Sequence, residues 1–447
     1  MLKILIKSVD FFLLYVIFMI YKQKEEFIIM TKSRKFLCVL FSLVLLLGAV
    51  CPAAYAADKT QLKFGEDGKF RIMHITDTHF TDFPFEESIA FIEAALDDYQ
   101  PDLVIFGGDN IKGWFDTSMQ LGVKQAIDSL VAPLEERGIP FSYTYGNHDW
   151  QTYLCPKILQ NGFYQIHTNC IKPETNGTPL RAGDGYIQIK DSEGENNILN
   201  LWLFDSGTIL ELGDDEYVEG VNALQLNWYK KTCDKLTAEN GGKVIPALAF
   251  QHFPVWEISK IFDEDANGIK SGDKKYALKG EFTDGITAGV PGTPNDRITT
   301  HLNKAADIPT DNSGEYAAWV EKGDVFGAFF GHSHVNDYCG ITEDGIVLGA
   351  TMSAGGFNIS SRFDDADGNP VEARGLRVIE LDEDALTNGG DPVNAMTTYS
   401  VYYSDYFDGS VEKYPSKYKA FDEHDFGEWI LIELEYFVKL IVDILLK

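Results

Sequence analysis

The sequence predicts an α/β fold with parallel-type strand pairing, and three observations carry that reading. Between residues 69 and 145, short apolar strands alternate with helical stretches in the order β-α-β-α-β. The strands read as buried on both faces, the signature of parallel pairing. Polar motif loops follow the strand ends, where open α/β sheets hold their ligands. A hydrophobic content of 45% with 13% aromatics can fill a large core and excludes a disordered chain. The 447 residues allow one large domain or two to three ordinary ones. A formal charge of −30 argues against nucleic acid or an anionic membrane as the main partner, since both are polyanions.

Residues 1–56 read as an N-terminal extension and signal peptide, cleaved after Ala56. Lys32, Arg34 and Lys35 form a basic start, Phe36 to Val50 a greasy core, and Ala54-Tyr55-Ala56 a small-residue cleavage site. A transmembrane anchor is the competing reading, but the apolar run of about 15 residues falls short of the ~20 that span a bilayer. Attachment through Cys51 would need a small residue where Val50 stands. Before Met30 lies a second apolar run, Phe11 to Tyr21. It belongs either to a mis-called extension of a chain starting at Met30 or to a membrane-inserting hairpin. Past Ala56, Cys155, Cys170, Cys233 and Cys339 remain. They are too few for a disulfide scaffold and admit either disulfides or buried free thiols.

Lys69 to Thr76 reads as the first strand, and Glu87 to Tyr99 as a helix with apolar Ile89, Phe91, Ile92, Ala95 and Leu96 at mostly helical spacing. Leu103 to Phe106 is a short, wholly apolar strand, Ser118 to Arg137 a second helix, and Phe141 to Tyr145 a third strand. Further strands are expected at Tyr186–Lys190, Ile198–Phe204, Val244–Gln251, Val325–Phe330, Ile346–Leu348 and Leu376–Leu381, with a helix over Asn222–Thr237. Residues 259–323 break this rhythm, rich in Gly, Asp and Lys. They read as a long insertion over the active face, or as a surface excursion without a role. Residues 412–447 form an amphipathic tail. From Phe426 onward its longest apolar run is four residues, too short to span a membrane. Packing on its own domain, self-association and lying on a membrane surface are its three candidate uses.

Five short motifs end or follow predicted strands: Asp77-Thr78-His79, Gly108-Asp109-Asn110, Gly146-Asn147-His148-Asp149, Gln251-His252-Phe253-Pro254 and Gly331-His332-Ser333-His334. Alone, each has an ordinary explanation. Asp-x-His is commonly a turn, Gly-Asp a helix cap, Gly-Asn-His-Asp a tight turn, and a His before Phe-Pro a structural residue. His-x-His is the best single indicator of metal, because side chains two apart on a strand share a face. Together the motifs hold five of the nine histidines, and coincidence no longer explains them. Oxygen and imidazole donors without thiolate suit Mn²⁺, Fe or Zn²⁺. Two cations sharing one carboxylate can lower the pKa of water to give hydroxide near neutral pH, and can clamp the attacking and leaving oxygens at phosphorus. A histidine that binds no metal can then donate a proton to the leaving group.

In order, spacing and residue type, these motifs resemble the calcineurin-like metallophosphoesterase superfamily. Within it, residues 331–340 (Gly-His-Ser-His-Val-Asn-Asp-Tyr-Cys-Gly) resemble the small purple-acid-phosphatase-like proteins of plants and fungi. The resemblance implies a four-layer α/β sandwich of two packed mixed β-sheets flanked by helices, over a domain of residues 57–411. It implies that Asp77, His79 and His334 bind one metal ion and that Asp109 bridges. Asn147, His252 and His332 would bind a second ion, and His148 would be the catalytic histidine. Asp149 is expected to orient its loop. True purple acid phosphatases carry a Tyr three residues after the bridging Asp; here that residue is Lys112, so no purple chromophore is expected.

The implied activity is an exported, two-metal hydrolase acting on small phosphate esters, monoesters ahead of diesters. Diester hydrolysis on phospholipids or the cell envelope, and a non-catalytic metal-binding role, are the alternatives. The expected location is secreted or cell-envelope associated, without nucleic-acid binding and with peripheral membrane contact or self-association through the tail. Arg362 and Arg374 could meet phosphate oxygens or be ordinary surface arginines, the second being the readier reading, so the substrate-binding residues stay open; His74 reads as core, and His167, His301 and His424 stand outside any motif.

Overall fold

The computed structural model describes residues 61–407, except 82–85, 114–119, 153, 179, 213–214, 272–273, 279–307, 356–361, 365–369 and 373. These residues belong to the larger of two units, 57–447. The expectations for residues 1–56 and 412–447 lie outside the described residues. No helix among the described residues is long and apolar enough to cross a membrane.

The chain opens with β1 (Lys69–Ile75), α1 (Glu86–Tyr99), β2 (Leu103–Gly107), α2 (Gln120–Arg137) and β3 (Phe141–Thr144). The three strands pair in parallel, as their apolar runs predict. After α3 (Lys157–Gln165) come β4 (Gly185–Lys190), β5 (Asn197–Phe204) and a hairpin of β6 (Ile209–Leu212) and β7 (Asp215–Val218). Next are α4 (Ala223–Glu239) and β8 (Ala247–Gln251), then a second hairpin of β9 (Phe262–Ser271) and β10 (Lys274–Leu278). The remaining elements are α5 (Glu315–Lys322), β11 (Val325–Phe330), β12 (Tyr338–Ile341), β13 (Val347–Ala350), the short pair β14 (Arg362–Asp364) and β15 (Pro370–Glu372), β16 (Gly375–Asp382), α6 (Glu383–Thr387) and β17 (Met396–Tyr402). α4 starts where Asn222 Oδ1 accepts the N–H of Leu224 and Gln225 while Gln225 returns a bond to Asn222 N. That capping box ends the preceding loop sharply.

Two mixed sheets result, ordered β17-β16-β1-β2-β3 and β12-β13-β11-β8-β5-β4. In the second, β5, β8, β11 and β13 run parallel and β4 and β12 close the edges antiparallel. Side chains alternate between two apolar environments along each inner strand. Ile72, Ile105, Leu201, Leu248, Phe250 and Phe329 pack between the sheets. Met73, Val104 and Phe106 face α1 and α2, against Phe91, Ile92, Ile127 and Leu130. Trp202, Ala249 and Ala328 face α4 and α5, against Trp228, Tyr229 and Trp319. Both faces of both sheets are therefore covered, giving four layers. This is why the central strands lack the alternation of half-exposed ones.

α5 falls inside the 259–323 segment and buries Tyr316 and Trp319 against the second sheet. Its eight residues are too few to display a helical period, so the sequence pattern does not reveal it. Cys155, Cys170, Cys233 and Cys339 are all free thiols. His74 is buried as expected of a core residue; burial pushes its imidazole down to about 3, and Nδ1 lies 2.8 Å from Thr351 Oγ1.

Phe329 is fully buried between the sheets, with its ring 5.8 Å from that of Phe250. Phe329→Ala should cost about 3–5 kcal/mol of stability, through lost burial and the cavity left behind. Urea unfolding followed by circular dichroism reads this, and an unchanged midpoint would contradict the inter-sheet core.

Candidate metal centre

The parallel strands of both sheets end level with one another. Ile75 pairs with Phe106 and Gly107 with Thr144 in the first sheet, while Gln251 pairs with Phe204 and Phe330 in the second. The loops that follow meet at one edge of the sandwich. Asp77 N donates to Gly108 O, Gly331 N to His252 O and Ala354 N to Thr76 O. Asp77 and His79 leave β1, Asp109 leaves β2, Asn147 and His148 leave β3, His252 leaves β8, and His332 and His334 leave β11.

The backbone is strained at these loops. Among the described residues, seven non-glycine positions have φ > 0, and four of them are Asp77 (53°), His79 (48°), Asp109 (48°) and His332 (70°). Such conformations cost of order 1–3 kcal/mol each and persist where surrounding contacts over-determine them. The packing here leaves no slack. A Cβ on Gly146 would stand 2.2 Å from Asp109 Oδ1, and one on Gly108, at φ +101°, would stand 2.7 Å from Gly146 N.

Six of the seven predicted ligand residues converge with His148, and Asn147 precedes His148 in the loop after β3. Asp77, His79, Asp109 and His334 form one cluster of donor atoms, and Asp109, His252 and His332 form another, each with its atoms within 4.8 Å of one another. Asp77 Oδ1 lies 3.3 Å from His334 Nε2 and 3.9 Å from both His79 Nε2 and His252 Nε2. Asp109 Oδ2 lies 3.1 Å from His252 Nε2 and 3.9 Å from His79 Nε2 and from His148 Nε2. His79 and His334 approach Nε2 to Nε2 at 3.0 Å. Donor spacings of about 3–4 Å are those of ligands each ~2.1 Å from a shared cation. Asp77 Oδ1, Asp109 Oδ2, Asn147 Oδ1 and His252 Nε2 are buried without hydrogen bonds. Buried polar atoms of folded proteins are mostly paired, and several unpaired ones belonging to neighbouring oxygen and imidazole donors fit cations. Asp109 belongs to both clusters, so the set fits two.

The other carboxylate oxygens are committed. Asp77 Oδ2 accepts from Thr76 Oγ1 (2.8 Å) and His332 N (3.0 Å), and Asp109 Oδ1 accepts from His148 N (2.7 Å). Burial opposes the charge on Asp77 and Asp109. The imidazoles of His252 and His334 beside Asp77, and of His252 and His148 beside Asp109, nonetheless hold both carboxyls below the usual carboxylate range. Burial likewise opposes the charge of His252, but Asp109 and Asp77 raise it to about 9. Burial, with His334 alongside, pushes His79 well below its usual value.

Asp149 takes no place in either cluster. Its Oδ1 accepts from Ile111 N at 2.9 Å and its Oδ2 from Gly146 N at 2.8 Å, tying the loops after β2 and β3 together. Burial, then the nearby Asp109, raises it to about 7. Arg374 does not serve as a phosphate contact. It is buried against Glu87 Oε2 at 3.1 Å and lies over the Tyr403 ring, which joins α1 to the end of β17. The side chain of Arg362 and residues His301 and His424 lie outside what the structure describes. His167 pairs with Asp128 on α2, at 3.2 Å.

Residues 70–336 match the family model described as calcineurin-like phosphoesterase. The chain is 27% identical to "Probable inactive purple acid phosphatase 14" of Arabidopsis thaliana, over 67% of this chain and 74% of that protein. It is 24% identical to "Phosphatase DCR2" of Saccharomyces cerevisiae, over 62% of this chain and 46% of that one. Among solved structures, a dimetal phosphatase from Danio rerio superposes with a TM-score of 0.42 at 11% identity, over 75% of this chain and 99% of the other.

With His252 near 9, its Nε2 is protonated at neutral pH until a cation takes that place, so binding must expel the proton. Mn²⁺ affinity should therefore rise by about tenfold per pH unit between 6 and 8 and flatten near 9. Calorimetry in two buffers of different ionisation heat would show proton release. A pH-independent affinity would exclude His252 as a ligand.

Proposed function

Since the chain belongs to the calcineurin-like phosphoesterase family, we propose that it is an exported two-metal hydrolase of small phosphate esters, acting on monoesters ahead of diesters. The observation that carries this reading is the pair of donor clusters sharing Asp109, with buried donor atoms that no hydrogen bond satisfies. Asp77, His79 and His334 hold one cation, Asn147, His252 and His332 the other, and Asp109 both. Oxygen and imidazole donors suit Mn²⁺, Fe or Zn²⁺. Two such cations supply the positive charge that activates water and neutralises the phosphoryl oxygens.

The chain's own residues do the rest. His148 is partly exposed, with 23% of its side chain accessible. Its ring stands 4.9 Å from that of His79, and its backbone N–H is anchored on Asp109. An imidazole held there is placed to donate a proton to the departing alcohol. Burial of Asp77 and Asp109 excludes competing water from their oxygens, so charge placed between them acts in a low dielectric.

The preference for monoesters rests on likeness to purple acid phosphatases, and export rests on the pattern of residues 30–56. Peripheral membrane contact or self-association through residues 412–447 belongs to the same proposal. The Arabidopsis relative is named an inactive phosphatase, which favours a second reading, a metal-binding protein without turnover. The complete donor set and His148 weigh against it, since a binder has no use for an acid beside the metals. Hydrolysis of p-nitrophenyl phosphate and bis-p-nitrophenyl phosphate, with metal content measured on the same sample, separates the two. Chelator-sensitive turnover supports the hydrolase, and two bound ions with no turnover on a panel of phosphate esters supports the binder.

Asp109→Asn should lose most metal and activity together, because one carboxylate serves both ions; full activity at full metal content would refute the shared role. His148→Ala should keep both ions and slow turnover by roughly 10²–10⁴-fold, the usual worth of acid–base assistance. An unchanged rate would remove it from catalysis.

A further inference from the structure

Ser353 lies in the segment after β13, outside every sequence motif, and is buried. Its backbone N–H donates to His334 O at 2.8 Å, and its hydroxyl donates to Asp77 O at 2.8 Å. The same Oγ accepts from Gly355 N at 3.1 Å, which fixes the direction of its proton. One residue thus spans the end of β1 in the first sheet and the histidine loop after β11 in the second. The approach is close: a Cβ on Gly355 would stand 2.4 Å from Asp77 O.

We propose that Ser353 is a positioning residue for the Asp77–His79–His334 cluster, setting the affinity of that cation site more than that of the other. This rests on the two-cation reading above. Asp77 is held at φ 53°, a conformation that non-glycine residues adopt at a cost. The Ser353 hydroxyl bonds the carbonyl of that strained residue, and its N–H holds the carbonyl of His334. Both bonds stabilise the arrangement in which Asp77 Oδ1 and His334 Nε2 stand 3.3 Å apart. The other cluster shares one brace, the bond from His332 N to Asp77 Oδ2, and has further ones of its own. His252 O accepts from Gly331 N (3.1 Å), Phe253 N donates to Ser206 Oγ (2.9 Å), and Asp149 ties down Gly146 N next to Asn147. None of these contacts involves Ser353.

The test is Mn²⁺ binding by the full chain carrying Ser353→Ala, read by equilibrium dialysis and by the spin-coupled signal of a paired Mn²⁺ centre. Removing a residue that orients a metal ligand commonly costs 10–100-fold in affinity. One of two Mn²⁺ should weaken by that factor while the other weakens less, and the coupled signal should give way to that of an isolated ion. Ser353→Thr, which restores the hydroxyl, should recover the pair. Equal weakening of both ions, or no weakening, would overturn the proposal. If Ser353→Ala does not fold, Ser353→Cys keeps a weak donor of similar size, and unequal weakening of the two ions is again the supporting outcome. Failure of the wild-type protein to bind two Mn²⁺ would instead refute the two-cation reading itself.

Discussion

Asp109 is the one residue, among those described, that belongs to both donor clusters, and the placement of its carboxylate constrains much of the fold around it. One oxygen of that carboxylate is committed to the N–H of His148, so the ring of Asp109 contacts has no free rotation left. Reaching Oδ2 from four histidines requires loops from both sheets to meet within a few ångströms. That in turn requires the parallel strands of each sheet to end level. The registers of β1 with β2, β2 with β3, β5 with β8 and β8 with β11 meet that requirement. Gly146 and Gly108 follow from the same constraint, because a side chain at either would occupy the space of the Asp109 loop.

Such a site is unfavourable as folded protein alone. Two carboxylates are buried among five imidazoles, four backbone positions sit in the left-handed region, and several polar atoms lack hydrogen bonds. Hydrophobic layers on both sides of each sheet offset that cost, and so do the bonds that Thr76, Asp149 and Ser353 supply to the strained loops. Divalent ions that bind the folded chain and not the unfolded one stabilise it by mass action. The same donors that are costly when bare thus become a source of stability when loaded.

Much of this was legible in the sequence, for a physical reason. Strands buried on both faces are apolar throughout, and donors at strand ends come as short polar interruptions, so Asp77, His79, Asp109, Asn147, His148, His252, His332 and His334 stand out against their surroundings. β12 and β17 were not legible. Their residues mix small, polar and aromatic types, so neither an apolar run nor a clean alternation marks them, and each is defined by its antiparallel pairing to the neighbouring strand. α5 is too short for its period to show. Arg374 reads as a surface arginine or a phosphate contact, and is neither, because an arginine in sequence carries no mark of its partner, which is Glu87 on α1. Ser353 has no signal at all, since its role lies in two backbone carbonyls and carbonyls are not encoded by residue type.

The distribution of donors between the sheets gives the core a part in the chemistry. The first cluster takes Asp77, His79 and Asp109 from the first sheet and His334 from the second. The other takes His252 and His332 from the second sheet and Asp109 from the first. Neither is complete on one sheet, so both depend on how the sheets sit against each other. That offset is set by the side chains between them, among them Ile72, Ile105, Leu248, Phe250 and Phe329. Close-packed interiors resist sliding, because a shift forces every interdigitated side chain out of its well. Donor spacings of 3–4 Å would not survive a slip of even one ångström, whereas an apolar core tolerates many residue choices that keep its volume. The ligands therefore carry the chemical identity of the site, and the inter-sheet layer holds the two halves of each cluster at bonding distance.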